Sequence, residues 1–303
     1  MITNNIQLSY LVITKNKLPY LKNRLERLFS EKLGDEEVLV ADGHSTDGTK
    51  EYIDQLKKDG KISYCISEND VGIAQALNKL ALVARGTLIT SITDDDVFHY
   101  PTILDCKNFM LQHPQTDVVF TNGGIKNRDI EKSVRPLIYH PYYERWQKDR
   151  TPFTATDLGM MFRRASISLI GLWNTSFPAP DAEFVFRIMT SKANVAWCKG
   201  FSFINVSNAH AVSLSHMKQI KLDMDKLNKY YLDKNPDPFI IEKLKIIRNK
   251  WRSKSLFQRT KDRVNKKINN ENPDEWLKLI SVAEKWLDQK YLENKPAFLW
   301  NKI

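Results

Sequence analysis

The sequence predicts an α/β protein: a mostly parallel sheet flanked by helices, with a C-terminal helical extension. Three observations predict it. Short apolar runs alternate with helix-periodic segments through residues 7–121. Two of those runs end in acidic residues, at Asp42 and at Asp94–Asp95–Asp96. Beyond residue 211 helical periodicity takes over and basic charge accumulates. In such sheets ligands gather beyond the carboxyl ends of the strands, so both acidic ends fall where a site is expected.

Taken in order, Gln7–Thr14 reads as a buried strand. Pro19 opens an amphipathic helix with Leu21, Leu25 and Leu28 on one face. Glu37–Ala41 is a second strand, ended by Asp42–Gly43. Thr46 or Asp47 is suited to cap the next helix, which turns Tyr52, Ile53 and Leu56 inward. Ile62–Ile66 is a third strand. Ile73 to Ala84 has helical spacing and is stopped by Gly86. Leu88–Thr93 is the fourth strand and delivers the three aspartates. Pro101 opens a helix that closes near His113–Pro114, and Val118–Thr121 is a fifth strand. The second half is less regular. Asn122–Thr156 reads as loop-rich, with Tyr139, Tyr142, Tyr143 and Trp146 close together. Leu158–Phe162 is a strand, Asp181–Ser191 a helix, and Val195–Trp197 and Phe201–Val206 are short strands.

Three adjacent carboxylates at a buried strand end repel one another and call for a cation. Carboxylate oxygens suit a hard ion such as Mg²⁺ or Mn²⁺, whose remaining positions stay open to phosphate oxygens. The plain alternative is a charged turn.

Hydrophobic residues make up 42% of the 303, enough for a substantial core. Three scattered cysteines predict neither a disulfide framework nor a zinc site. The N-terminus lacks the pattern of a secretory signal and no apolar run approaches a membrane span, so the expected location is the cytosol. Net charge is +10 and uneven. Residues 218–303 hold 21 Lys and Arg against 12 Asp and Glu, and the preceding 217 hold 25 against 24. A basic tail of this kind favours an anionic partner. No nucleic-acid motif accompanies the charge. Trp251, Leu256 and Phe257, set among Arg248, Lys250, Arg252, Lys254 and Arg259, suit peripheral contact with an anionic membrane at the cytoplasmic inner face. A helical appendage packed on the main domain is the alternative.

Five segments, in order, resemble the inverting family-two glycosyltransferases with the GT-A fold. They are Val40–Thr49, Asn69–Asn78, Ala84–Arg85–Gly86 with Asp94–Asp96, Ile170–Trp173 with Ala179–Arg187, and Asn208–Ala209–His210 with Ser213. The resemblance covers residues 7–215. It implies a catalytic domain over 1–215, with a nucleotide-sugar half to about residue 121 and an acceptor half over 122–215. Residues 216–303 form a basic helical extension.

The resemblance also implies roles. Asp94 and Asp96 form the D-x-D pair, Asp96 on a divalent metal (Mn²⁺ or Mg²⁺) and Asp94 on ribose or metal. Asp95 is counted with the nucleotide-sugar contacts, because a triplet allows two registers. The interval from Asp96 to Pro101 is one residue longer than usual in the family, which leaves that register open. Thr14, Asp42, Asp70 and Asn78 line the donor pocket, and His210 adds a metal or diphosphate contact. For Asn78 the alternative is a helix residue bonded to a loop, and for His210 a structural histidine. Asp181 is the catalytic base, with Glu183 in reserve. Pro180 departs from the family, which usually has Glu there, though Pro suits a first helical turn. The activity implied is sugar transfer from a nucleotide donor, UDP-sugar favoured, to a glycan or lipid-linked acceptor. A nucleotidyltransferase is the first rival, but the loop Thr14–Pro19 lacks the glycines it needs. A non-catalytic relative acting through its basic tail is the second.

Overall fold

The computed structural model describes residues 5–177, 180–207, 217–232 and 273–300. Four parallel strands form one side of the sheet: β1 (Leu8–Thr14), β2 (Glu36–Asp42), β3 (Tyr64–Ser67) and β4 (Leu88–Thr93). Each is apolar on both faces, as a sheet covered on both sides requires. The sheet continues from β4 through β8 (Met160–Arg163), β6 (Val118–Lys126) and β9 (Val195–Val206) to the edge strand β10 (Phe298–Leu299). Strand β8 runs antiparallel to both β4 and β6, and β6 and β9 are parallel. Two short strands, β5 (Val97–Phe98) and β7 (Arg135–Leu137), pair with β9 and β6.

Helices α1 (Leu18–Glu31), α2 (Thr49–Lys58) and α4 (Tyr100–Gln112) cover one face. Helices α3 (Ile73–Val83), α5 (His140–Asp149), the short α6 (Ile167–Ile170) and α7 (Pro180–Thr190) cover the other. Alternation along β1 explains the division. Tyr10 and Val12 pack with Leu21, Leu25 and Ile53, while Leu11 packs with Leu77 and Leu80. Helix α8 (Met217–Leu232) lies against α7, with Tyr231 stacked on Phe186 at 5.2 Å.

Helix α9 (Pro273–Glu293) is built into the main core. Trp276, Leu279, Ile280, Ala283 and Leu287 are buried against Val97, Ile204 and Val206. Arg24 of α1 pairs with Glu284 at 3.1 Å, and Tyr291 donates to Asp105 at 3.0 Å. The end of the basic extension thus completes the sheet edge. The proposed membrane-facing residues Arg248–Arg259, including Trp251, Leu256 and Phe257, lie outside the described residues, as do Asn208–His210 and Ser213. No helix among the described residues is long and apolar enough to cross a membrane.

The structure departs from the sequence reading mainly after residue 121. Strand β6 runs on to Lys126, and the stretch expected as loop contains α5. Tyr143 and Trp146 of α5 are core residues, bonded to the carbonyls of Val195 (2.5 Å) and Met189 (2.8 Å). The two strands expected at 195–206 are one, with a register shift where it meets β6. Helix α2 has Gly48 at its cap, with a left-handed φ of 91° that favours glycine. Asp47 still serves that helix start, accepting from Thr49 N at 3.2 Å and Thr49 Oγ1 at 2.6 Å.

Candidate active site

The parallel register sets Thr14 beside Asp42, Asp42 beside Ser67 and Ile13 beside Thr93. The ends of four strands therefore form one rim. Asp42 is buried there and already engaged: Ser67 Oγ donates to it at 2.6 Å, and both the amide (3.1 Å) and the hydroxyl of Ser45 bond it. These bonds shape the turn after β2. Thr14 Oγ1 is buried without a hydrogen-bond partner of good geometry among the described residues. The group it approaches is the Asp94 carboxylate. Asp70 pairs with Lys79 at 2.5 Å, and Lys79 also pairs with Glu68, so this loop is tied to α3. Asn78 is spent on the main chain of Trp173: its Nδ2 donates to Trp173 O (2.8 Å), and its Oδ1 accepts from Trp173 N (2.9 Å). That is the loop-bonding alternative, and it joins α3 to the segment before α7.

The three aspartates after β4 are all buried, and they divide. Lys17, in the loop between β1 and α1, forms an ion pair with Asp95 and lies 3.4 Å from Asp94. Asp96 turns to neutral donors: Thr93 Oγ1 (2.7 Å), Asn205 Nδ2 (3.2 Å) and Val206 N (2.9 Å). Its carboxylate fastens β4 to β9. Burial, followed by the neighbouring Asp95 charge, pushes the carboxyls of both Asp94 and Asp96 up to about 7. Burial works against the Lys17 ammonium, but Asp94 and then Asp95 outweigh it and hold its pKa above the ordinary lysine value. Three carboxylates around one ammonium leave a deficit of positive charge. That fits a divalent cation held by one or two carboxylates and shared with phosphate oxygens. Among the described residues no three His, Cys, Asp or Glu side chains form a closed metal cage. His210, the further ligand implied by the resemblance, lies outside the described residues.

The antiparallel run of β8 brings a second acidic group to this rim. Thr90 pairs with Met161, so the start of β8 lies toward the carboxyl end of β4. Just before it, Asp157 opens a one-turn 3₁₀ segment. Asp157 accepts from the Trp173 indole at 2.8 Å. Its other neighbour is Asp181, in the first turn of α7, which starts at Pro180. Burial, then the Asp181 charge, pushes Asp157 up to about 7. Burial also raises Asp181 above the usual carboxylate range, against the pull of backbone N–H groups at the helix start. Tyr139 faces the same pair: burial, then Asp181, raises its phenol.

Glu183 is committed elsewhere. Arg187 holds it through Nε (2.9 Å) and Nη2 (3.0 Å), and also donates to the carbonyls of Ile170 and Leu172 (2.7 Å). Gly171 has φ 74°, and a Cβ there would meet Arg187 at 2.6 Å. Arg187 is a structural clamp on this turn. Arg85 likewise grips Glu37 at 2.7 Å, at the opposite end of the strands. The sequence reading missed Lys17 and Asp157. The first had a signal, because an acidic triplet needs a cation and a lysine-bearing loop follows the adjacent strand. Asp157 had none, since Trp173 and Asp181 reach it only through the fold.

Residues 9–169, just over half of the chain, match the family described as Glycosyl transferase family 2. The chain belongs to glycosyl transferase family 2. A curated relative, glycosyltransferase GlyG from Streptococcus pneumoniae serotype 4, is 28% identical over 116 residues. That match spans 38% of this chain and 38% of the relative's length. Among solved structures, S. aureus TarS in complex with UDP-GlcNAc superposes with a TM-score of 0.52 at 14% identity, over 98% of this chain and 97% of that one. The mannosyltransferase PcManGT from Pyrobaculum calidifontis, in complex with GDP-Man and Mn²⁺, gives 0.52 at 16% identity, over 73% of this chain and 64% of that one. At these identities the likeness is one of fold, and the GT-A-like architecture expected from the sequence is present.

Proposed function

We propose that this family-2 protein is an inverting, metal-dependent glycosyltransferase. It moves a sugar from a nucleotide-diphosphate donor, a UDP-sugar by preference, to a hydroxyl of a glycan or lipid-linked acceptor. The observation that carries the reading is the pairing on one rim of a cation-facing acidic group, Asp94–Asp95, with a proton-holding one, Asp157–Asp181. The donor complexes of TarS and PcManGT support a nucleotide-sugar ligand. The basic tail supports an acceptor presented at the inner, cytoplasmic face of a membrane.

In the proposed reaction the nucleotide lies along Thr14, Asp42 and the loop of Asp70. Asp94 and Asp95 would hold a divalent ion, with His210 as a further ligand. This narrows the register, because the oxygens of Asp96 already accept three protein donors. The ion supplies positive charge to the departing diphosphate. The acceptor oxygen attacks the anomeric carbon from the opposite face. The carbon–oxygen bond to the diphosphate breaks and its electron pair leaves with the diphosphate. The acceptor proton passes to Asp181. A raised basicity suits that step, since a base works best with a pKa near the working pH.

Donor hydrolysis tests the reading. The chain is expected to release UDP from a UDP-sugar in Mn²⁺ and not in EDTA, and Asp181→Asn to slow release by about 10³-fold. UDP is expected to raise the melting temperature more than GDP, CMP or dTDP do, and only with Mn²⁺ present. No turnover of any UDP- or GDP-sugar, with Asp181→Asn indistinguishable from the parent, would sink the enzyme reading. Transfer of a nucleotidyl group instead of a sugar would favour the nucleotidyltransferase.

A further inference from the structure

We propose that Lys17 is a resident counter-cation which occupies the acidic strand end in the nucleotide-free protein and is displaced when a divalent ion binds Asp94 and Asp95. The proposal rests on the reading of those two residues as the metal-holding pair. Four observations support it. The Lys17 ammonium touches Asp95 and lies 3.4 Å from Asp94. Asp96, one residue on, is matched by Thr93, Asn205 and Val206 instead. Lys17 therefore singles out two of three adjacent carboxylates. The lysine backbone is anchored on both sides: Asn16 N donates to Ser45 Oγ (2.7 Å), Thr46 N to Asn16 Oδ1 (2.9 Å) and Leu18 N to Asp47 Oδ2 (2.9 Å). Only the side chain is left to move, and its four-carbon stem allows that. The buried Thr14 hydroxyl, without a well-formed bond, lies beside the Asp94 carboxylate.

The physical case is a competition. A buried acidic pair without a cation is strongly unfavourable, so Lys17 stabilises the empty site. A divalent ion brings twice the charge to the same oxygens, but binding it requires the ammonium–carboxylate contacts to break. Metal affinity without nucleotide is therefore low. It rises when a diphosphate supplies further oxygen ligands and gives the freed ammonium an anionic neighbour.

The test is Mn²⁺ binding to the full, nucleotide-free chain, read by the electron paramagnetic resonance of free Mn²⁺, for the parent, Lys17→Met and Lys17→Arg. Groups around a metal's ligands typically change its affinity by about 10- to 100-fold, so Lys17→Met is expected to bind Mn²⁺ at least about tenfold more tightly than the parent. Mn²⁺ is also expected to raise the melting temperature of Lys17→Met by more than it raises the parent's. Lys17→Arg, whose guanidinium grips two carboxylates in a fixed fork, is expected to bind Mn²⁺ more weakly than the parent. If Lys17→Met fails to fold, the arginine variant decides alone. Affinity equal to or below the parent's in the methionine variant, or equal to or above it in the arginine variant, overturns the proposal. Failure of the underlying metal reading has a different signature. None of the three proteins would then bind Mn²⁺, with or without UDP, although UDP itself still binds, and that outcome removes the competition as well.

Discussion

Two groups of buried carboxylates face the same rim of the sheet, and they are balanced differently. Asp94 and Asp95, at the end of β4, have the Lys17 ammonium against them. Asp157, just before β8, and Asp181, in the first turn of α7, answer instead to burial, to the Asp181 charge acting on Asp157, to the Trp173 indole and to backbone N–H groups. Burial pushes Asp94, Asp157 and Asp181 toward neutrality, but relief comes by different routes. The first group is relieved by positive charge, first an ammonium and then, in the proposed reaction, a metal. The second is relieved by holding a proton. In the proposed reaction the first group would serve the diphosphate and the second the acceptor hydroxyl.

Substitutions that remove one kind of relief and spare the other test this contrast. The largest effect is expected from Asp181→Asn. Turnover should fall by about 10³-fold, within the range usual for a general base, while Mn²⁺-dependent stabilisation by UDP survives. Asp94→Asn should do the reverse: UDP no longer stabilises the protein in Mn²⁺, and turnover falls by about 10²-fold, as for loss of one charge-stabilising group. If both variants lose nucleotide binding equally, the two groups are one site and the contrast breaks.

Asp157→Asn sharpens the contrast through pH. Asp181 must be ionised to act, so activity should fall on acidification through a pKa above the ordinary carboxylate range. The Asp181 charge raises Asp157, so Asp157 keeps its proton while Asp181 ionises, and Asp157→Asn should leave the acid limb of kcat/KM in place. Stability is what changes. Asp157 rises from 3.8 to about 7 on folding, so the folded chain keeps a proton that the unfolded chain has lost. The stability contributed is full below 3.8 and is lost as pH rises through about 7. Melting temperatures of Asp157→Asn from pH 4 to 8 should decline less with pH than the parent's. A shifted acid limb, or an unchanged slope, would overturn the assignment of the held proton to Asp157. The smallest effect is expected from Asn78→Ala. Two hydrogen bonds to Trp173 are lost, stability drops by about 1–2 kcal/mol in denaturant melts, and UDP affinity holds.

The first half of the chain was legible because its elements are local. Each apolar run closes on a turn that the sequence announces, and the strand ends carry their acidic residues with them. The second half hides its order. Helix α5 begins His140–Pro141–Tyr142, with no capping side chain and no acidic first turn, and its buried residues are aromatic and few. Gly200, within β9, reads as a break, yet β9 crosses it with a register shift. The site divided in the same way. Asp42 and Asp94–Asp96 were visible as strand-end carboxylates. The choice among the triplet was not, because it depends on Asn205 and Val206 taking Asp96 and on Lys17 taking its neighbours. Asn78 stood in a donor-pocket motif, but its partner is a backbone segment about a hundred residues away, which periodicity cannot report.

The Trp276 indole donates to the Asp95 carbonyl at 3.3 Å, across 181 residues of chain. Asp96 waits similarly for Val206, 110 residues downstream. During synthesis the N-terminal strands emerge first and can pair, but the acidic turn they end in is still unfinished. Its last contact becomes available only when α9 has left the ribosome. Three mutually repelling carboxylates therefore sit at the end of a partly formed sheet, with Lys17 as their early companion, while the remaining two-thirds of the protein is made. The same lysine that is proposed to yield to the metal would then act as a folding aid before the site exists.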